Sequence, residues 1–243
     1  MKTHKTSLVG KSLDDFVDIC DIYNVDSYRA EQIFNWIYKN KINDFESLKN
    51  IPKSFLSLLK EQYIIHPLIF IRSTKSNSRL TNKFLFKTQS GALIESVLMN
   101  EGLRTTLCLS TQVGCALDCK FCATAKMGFI DNLDSGEIVD QFLLISKILP
   151  KPITNVVFMG MGEPFLNYSN VIKSAKLLHD QNGINLGYKR ITISTAGIVK
   201  KIEQFTKERQ KFKLAISLNG TTSDQRLKIM PITKSNSLES LLG

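Results

Sequence analysis

Gly114-Cys-Ala-Leu-Asp-Cys-Lys-Phe-Cys122 brings Cys115, Cys119 and Cys122 onto one tight loop with Cys-x-x-x-Cys-x-x-Cys spacing and no fourth thiol. Iron–sulfur clusters are held by cysteine thiolates, normally one per iron. A four-iron cluster (4Fe-4S) on three protein ligands therefore keeps one iron open to a small molecule. S-adenosylmethionine can fill that place through its amino and carboxylate groups, and a reduced cluster can pass it an electron that splits a carbon–sulfur bond. Structural zinc wants four Cys or His ligands in a closed tetrahedron, and the histidines, His4, His66 and His179, all lie outside the loop. The five cysteines are an odd count in a chain of 243 residues, unlike the disulfide frameworks of small secreted scaffolds.

Outward from the loop, the same face of a fold gains further polar groups. Phe121 precedes the last cysteine, where a ring can cover the open iron and lie against an adenine; the plain alternative is a buried core Phe. Ile153-Thr-Asn-Val-Val-Phe-Met159 is an apolar run of strand length that ends in Gly160-Met-Gly-Glu-Pro164. Glycines at a strand's carboxyl end allow the backbone to approach a ligand closely, and Glu163 adds an acceptor for a cofactor ammonium. Lys189-Arg-Ile-Thr-Ile-Ser-Thr195 and Lys213-Leu-Ala-Ile-Ser-Leu218 read as short strands ending in hydroxyl residues. Between these strands the periodicity predicts helices over 135–149, 168–180 and 198–207, the first opening with Ser135 and Glu137. Alternating strand and helix means α/β architecture, with parallel strands and helices packed outside. The site of such a barrel forms at the carboxyl ends of its strands, where Cys115, Glu163, Ser194 and Ser217 would converge.

The amino-terminal part is patterned differently. Apolar residues at helical spacing, such as Phe16, Ile19 and Cys20 or Ile33 and Ile37, predict helices over 12–24, 27–39 and 51–62, with Asp44-Phe-Glu-Ser-Leu48 between the last two. After a polar stretch from Arg72 to Lys83, runs over 84–88 and 92–99 flank Gln89-Ser-Gly91, a hairpin signal. A formal net charge of +10 and a pI near 9.3 suit a polyanionic partner and salt-dependent binding, although the richness in Lys, Asn and Ile also fits a solvated lysine surface. No apolar run reaches the roughly 18 residues of a membrane span, so no membrane partner is expected. The start, Met1-Lys-Thr-His-Lys5, lacks the apolar core of a signal peptide. The expectation is a cytoplasmic protein, since a reducing compartment suits an oxygen-sensitive cluster.

Thr106-Leu-Cys-Leu-Ser-Thr-Gln-Val-Gly-Cys-Ala-Leu-Asp-Cys-Lys-Phe-Cys-Ala-Thr124 occurs together with Met159-Gly-Met-Gly-Glu-Pro164, Ser194-Thr195 and Ala215-Ile-Ser-Leu218. On these residues the chain resembles the radical-SAM RNA methyltransferases of the adenine-C2 type, dual-specificity enzymes that modify 23S ribosomal RNA and transfer RNA. The resemblance implies a partial radical-SAM (β/α) barrel over 101–243. Before it would come a helical RNA-contacting domain over 1–66 and a β-hairpin connector over 67–100. It implies a 4Fe-4S cluster on Cys115, Cys119 and Cys122, and S-adenosyl-L-methionine held by Phe121, Gly162, Glu163, Ser194, Ser217, Leu218 and Asn219. Family members usually carry His after the Ser-Leu pair, where this chain has Asn219.

The resemblance further gives Glu95, in Leu93-Ile-Glu-Ser-Val97, a proton-transfer role and Cys108 a part in releasing methylated RNA. Without it, Glu95 is a solvent-facing strand carboxylate and Cys108 a small buried hydrophobe. In the family, a cysteine near the carboxyl terminus is methylated first, because adenine C2 is not nucleophilic. Hydrogen abstraction from that methyl then gives the group that adds to the ring. An electron donor such as flavodoxin is the implied protein partner. This sequence has no cysteine after Cys122 and supplies four strand–helix units where the resemblance implies six. The expectation is therefore a fragment or truncated copy with an unpaired edge strand. Two further readings remain at this stage, methylation at adenine C8 and a catalytically inactive RNA-binding remnant.

Overall fold

Ser12 caps the first helix: its hydroxyl accepts from the Asp15 N–H at 3.2 Å while the Asp15 carboxylate accepts from the Ser12 N–H at 2.7 Å. This reciprocal box contributes about 1 kcal/mol to starting the helix. The computed structural model describes residues 5–78 and 80–243; His4 and the rest of the 1–4 segment used in the signal-peptide reading lie outside them. The amino-terminal unit comprises β1 (Thr6–Ser7), α1 (Leu13–Ile22), α2 (Tyr28–Tyr38), a 3-10 turn (Phe45–Ser47), α3 (Lys53–Gln62) and β2 (Tyr63–Ile64). Phe16 meets Phe34 edge-on at 6.3 Å, and Ile19, Cys20, Ile33 and Ile37 are buried beside them. These are the positions whose spacing predicted the helices. The short parallel pair β1–β2 was not legible, because two residues carry no periodicity.

The remaining strands are β3 (Ile69–Lys75), β4 (Thr81–Lys87), β5 (Leu93–Glu101), β6 (Arg104–Cys108), β7 (Gln112–Gly114), β8 (Phe129–Asn132), β9 (Asn155–Phe158), β10 (Ile191–Thr195) and β11 (Lys213–Ile216). The helices are α4 (Ser135–Ile148), α5 (Tyr168–His179), α6 (Val199–Lys207), α7 (Ser223–Ile229) and α8 (Leu238–Leu242). Seven strands form one sheet in the order β11-β10-β9-β6-β5-β4-β3. Its β6, β9, β10 and β11 are mutually parallel and joined through α4, α5 and α6, whereas β3, β4, β5 and β6 run antiparallel. The fold is the expected α/β barrel-type core, with a mixed sheet.

One expectation is corrected, that of a β-hairpin connector over 67–100 separate from the core. The polar stretch 72–83 takes in most of β3 and the start of β4, paired from Ile69↔Lys87 to Lys75↔Asn82, and β3 is exposed along its length. The hairpin β4–β5 is hydrogen-bonded directly to β6, so 67–100 continues the core sheet. Helix α4 opens with Ser135 and Glu137 as expected: Asp134 caps it, its side chain accepting from the Glu137 N–H at 2.8 Å, while Ser135 is buried and donates its hydroxyl to the Gly10 carbonyl at 3.1 Å.

Successive strand residues face opposite sides. Phe84, Phe86, Ile94, Leu107, Val156, Phe158, Ile191 and Ile193 take the helix-covered side and are completely buried. Glu95, Cys108, Thr192 and Ser194 alternate with them on the other side. Among the described residues no helix is long and apolar enough to cross a membrane.

His66 pins the amino-terminal unit to the core. Its Nδ1 bonds the Asp140 carboxylate, its Nε2 donates to the Ile42 carbonyl at 2.8 Å, and the second Asp140 oxygen accepts from the Leu68 N–H at 3.1 Å. Burial works against charge on the ring, but Asp140 and the Ile42 carbonyl outweigh it, so the imidazole is held above its ordinary value. Burial raises Asp140 as well. The folded pair therefore keeps a proton at a pH where the unfolded chain has released it, and stability falls as pH rises. Urea unfolding is expected to show stability declining by at most roughly 1 kcal/mol per unit above about pH 6.5. His66→Gln should flatten that decline; an unchanged slope in the variant would sink the assignment.

Candidate active site

The pedestal of the site is Ser110–Gln112, between β6 and β7. Buried Gln141 of α4 accepts from the Ser110 N–H and donates to the Ser110 carbonyl, each at 2.9 Å. Asn167 donates to the Thr111 carbonyl at 2.8 Å and the Leu133 carbonyl at 2.7 Å. The Gln112 side chain donates to Asn132 and accepts the Glu163 N–H, both at 2.8 Å. Gly160 and Gly162 lie against this pedestal. A Cβ on Gly160 would sit 2.7 Å from the Leu109 carbonyl oxygen, and one on Gly162, at φ +96°, 2.5 Å from Gln112. The two glycines thus admit a neighbouring segment of the chain.

From the pedestal the cysteine loop departs. Gly114 has φ +73°, and a Cβ there would lie 1.8 Å from the Gly128 carbonyl oxygen, which accepts the Cys115 N–H at 2.9 Å. Cys122 N–H donates to the Cys119 carbonyl at 3.0 Å, and Lys120 N–H to the Ile229 carbonyl at 2.8 Å, tying the loop to α7. The loop opens on a cavity of about 300 Å³ lined by Cys115, Cys119 and Cys122 together with Phe121, Gly162, Glu163, Ser194, Ser217 and Asn219. Phe121 stands at the rim of the cavity, 60% exposed. Leu218 is not among the lining residues; its carbonyl accepts from Arg226 at 2.7 Å.

Glu163 is 4% exposed. Its carboxylate accepts from the Phe165 N–H at 3.0 Å and the Ala196 N–H at 2.8 Å, joining the β9 and β10 ends. A carboxylate has about four acceptor positions, so acceptor capacity remains for a ligand. Burial raises its pKa against these bonds. Ser194 donates its hydroxyl to the Phe158 carbonyl at 2.6 Å, and Ser217 N–H donates to the Thr195 carbonyl at 2.9 Å.

Burial and repulsion from Cys115, Cys122 and Glu163 push the Cys119 thiol up to about 11, and burial raises Cys115 too. Such a crowded donor set favours a cationic occupant that accepts several thiolates. Among the described residues no three acidic, histidine or cysteine groups converge on one ion. Three thiols on one loop, lining a cavity with Glu163 and Ser217, are the donor type that an iron–sulfur cluster takes.

Glu95 and Cys108 lie outside this cavity. They sit diagonally across β5 and β6 on one sheet face, Cys108 opposite Val97. Glu95 is paired with Lys83 at 2.9 Å, and its carbonyl accepts the Ser110 hydroxyl at 2.5 Å. Burial pushes the Cys108 thiol up to about 11, offset by a bond from the Met159 backbone, and Met159 lines the cavity. Gln112, Gln141, Asn167, Arg226 and Met230 were not found from sequence. For α7 a signal existed: Thr222 three residues before Gln225 is a capping pattern, and the Thr222 hydroxyl does accept the Gln225 N–H at 3.3 Å.

The mixed sheet with three cysteines at its carboxyl-terminal mouth defines the radical S-adenosylmethionine class, and residues 109–242 match the model of the radical SAM superfamily. Residues 6–65 match the ribosomal RNA large subunit methyltransferase N-terminal domain. The chain is 41% identical over 98% of its length to a probable dual-specificity RNA methyltransferase RlmN of Pseudothermotoga lettingae, covering 69% of that protein. A similarly named protein of Clostridium novyi is 42% identical over 97% of the chain and 69% of its own length. The crystal structure of a radical SAM methyltransferase from Sphaerobacter thermophilus superposes with a TM-score of 0.93 at 36% identity, over 98% of this chain and 70% of that one. The chain belongs to the RlmN-type dual-specificity RNA methyltransferase family. It is an S-adenosylmethionine-dependent methyltransferase by descent, and membership implies S-adenosylmethionine and a 4Fe-4S cluster as cofactors.

Replacing Glu163 by Gln turns one acceptor oxygen into a donor facing the Phe165 or Ala196 N–H. Leaving a buried donor unpaired costs about 1–3 kcal/mol. Glu163→Gln should lower the urea midpoint correspondingly, and parental stability would show that the carboxylate is not caught between the two donors.

Proposed function

We propose that the chain carries the cofactor-binding and proton-handling residues for methylation at C2 of an adenosine in 23S ribosomal RNA and in transfer RNA. The single observation that carries this is the convergence of three thiols, Glu163, Ser194 and Ser217 on one cavity. Cys115, Cys119 and Cys122 would hold the cluster. Gly162, Glu163, Ser194 and the Ser217–Asn219 segment would hold S-adenosylmethionine, with Glu163 accepting from its ammonium. The chemistry supplied by the bound pair is one-electron reductive cleavage of S-adenosylmethionine, with a flavodoxin-type donor as the proposed source of the electron.

The chain's own residues then have distinct tasks. Glu95, on the sheet face beside the cavity, takes the ring proton once a substrate adenine displaces Lys83 from it. Cys108, buried on the same sheet face, is the residue assigned to releasing the methylated base, a step that requires its thiol to lose a proton first. Support for an RNA partner comes from the net charge of +10 and from exposed Arg72, Lys75 and Lys87 on the β3–β4 edge. The names of the relatives, which describe RNA methyltransferases, point the same way. A reducing cytoplasm is the compartment that suits three free thiols and a cluster.

Two assays test the reading. The purified chain, reconstituted anaerobically with iron and sulfide, should form 5'-deoxyadenosine from S-adenosylmethionine, and Cys119→Ala should abolish this together with iron uptake. RNA from cells expressing the open reading frame that contains this chain should yield 2-methyladenosine on digestion and mass spectrometry. The 8-methyl isomer would overturn the regiochemistry, and absence of both isomers with no cofactor cleavage would overturn the methyltransferase assignment.

A further inference from the structure

Arg226 is the bulkiest side chain that is completely buried, at 0% exposure. Among the described residues no carboxylate lies within ion-pair distance of it. Its donors go to carbonyls instead. One terminal nitrogen donates to Ser217 at 2.8 Å and Leu218 at 2.7 Å, the other to Ala196, and Nε has no partner. A buried charge without a counter-ion is costly, and a fold that needed only these carbonyls satisfied could use neutral donors.

The surroundings indicate what the charge serves. Ala196 follows β10, and its N–H is the donor to Glu163. Ser217 and Leu218 follow β11. Ala196 and Ser217 line the cavity, and Leu218 adjoins them in the chain. Met230, whose sulfur lies 3.5 Å from the guanidinium, packs against Cys115, Leu117 and Cys119. Through Met230 the guanidinium is one side chain removed from the cysteine loop. Arg226 thus stands behind both halves of the pocket, the thiol loop and the strand ends.

We propose that Arg226 is a positioning residue. Its guanidinium clamps the β10 and β11 ends into the shape that receives S-adenosylmethionine, and it supplies the fixed positive charge behind the three-thiolate loop. This rests on the cofactor reading of the cavity given above. Arginine suits both tasks, because its planar fork serves several oxygens at once and stays charged when buried.

The test compares the parental chain with Arg226→Lys and Arg226→Met after anaerobic loading with ferrous iron and sulfide. It reads iron per chain, the cluster's midpoint potential, S-adenosylmethionine affinity by equilibrium dialysis, and the thermal unfolding midpoint. Arg226→Met removes the charge, so the potential should fall, since net charge near a cluster sets it, and affinity should drop about 10-fold or more. Arg226→Lys keeps the charge but not the fork: parental potential with affinity down about 10-fold is expected. If both variants keep the parental potential and affinity, the proposal is overturned, whatever happens to thermal stability. Where Arg226→Met fails to fold, Arg226→Lys decides alone, its affinity loss at parental potential supporting the clamp and parental affinity refuting it. A parental chain that takes up neither iron nor S-adenosylmethionine overturns the cofactor reading, and the proposal with it.

Discussion

Strand β6 is hydrogen-bonded antiparallel to β5 on one side and parallel to β9 on the other, and the site depends on that double ladder. A strand in the middle of a sheet must satisfy donors and acceptors along both edges, so its register is fixed twice. Cys108 is set opposite Val97 and Val157 at once. Everything that follows β6, from the Ser110–Gln112 pedestal to the cysteine loop, leaves the sheet from a position with no freedom to slip. A one-residue shift would turn Glu95 and Cys108 into the helix-covered core and bring their apolar neighbours to the open face.

The pocket above that ladder is built mainly from backbone groups held by buried polar side chains. Gln141, Asn167, Glu163 and Arg226 each fix two or more main-chain groups, and Gln112 fixes one together with the Asn132 side chain. Irregular loops at a strand mouth carry unpaired N–H and C=O groups that would be expensive to bury. Here amides, a carboxylate and a guanidinium satisfy them, and the result is a wall stiff enough to present Ser194, Ser217 and Asn219 without a ligand. The charges are arranged in the same way, with a carboxylate on one side of Ala196 and a guanidinium on the other. The thiols face this wall across an open cavity.

Local chemistry was legible where it repeats or clusters. The spacing of Cys115, Cys119 and Cys122, the strand before Gly160 and the amphipathic pattern of α1, α2, α4 and α5 each depend on neighbours within a few residues. Contacts reaching across tens of positions leave no such trace. His66 with Asp140, Glu163 with Ala196 and Arg226 with Ala196 are brought together only by the path of the sheet. The edge strand β3 was hidden for a different reason, since one side of it has no partner and its polar residues resemble those of a loop.

The sequence by itself determined the donor set, the alternation of strand and helix and, through its motifs, the family. Those properties lie in residue identity and short-range spacing. Tertiary structure alone decided that the hairpin joins the barrel sheet, that the glycines of Gly160–Gly162 make room for the Leu109–Gln112 segment, and that an arginine from α7 stands behind the pocket. Each of these depends on which backbone groups remain unpaired once the sheet has formed, a quantity defined only in the folded chain.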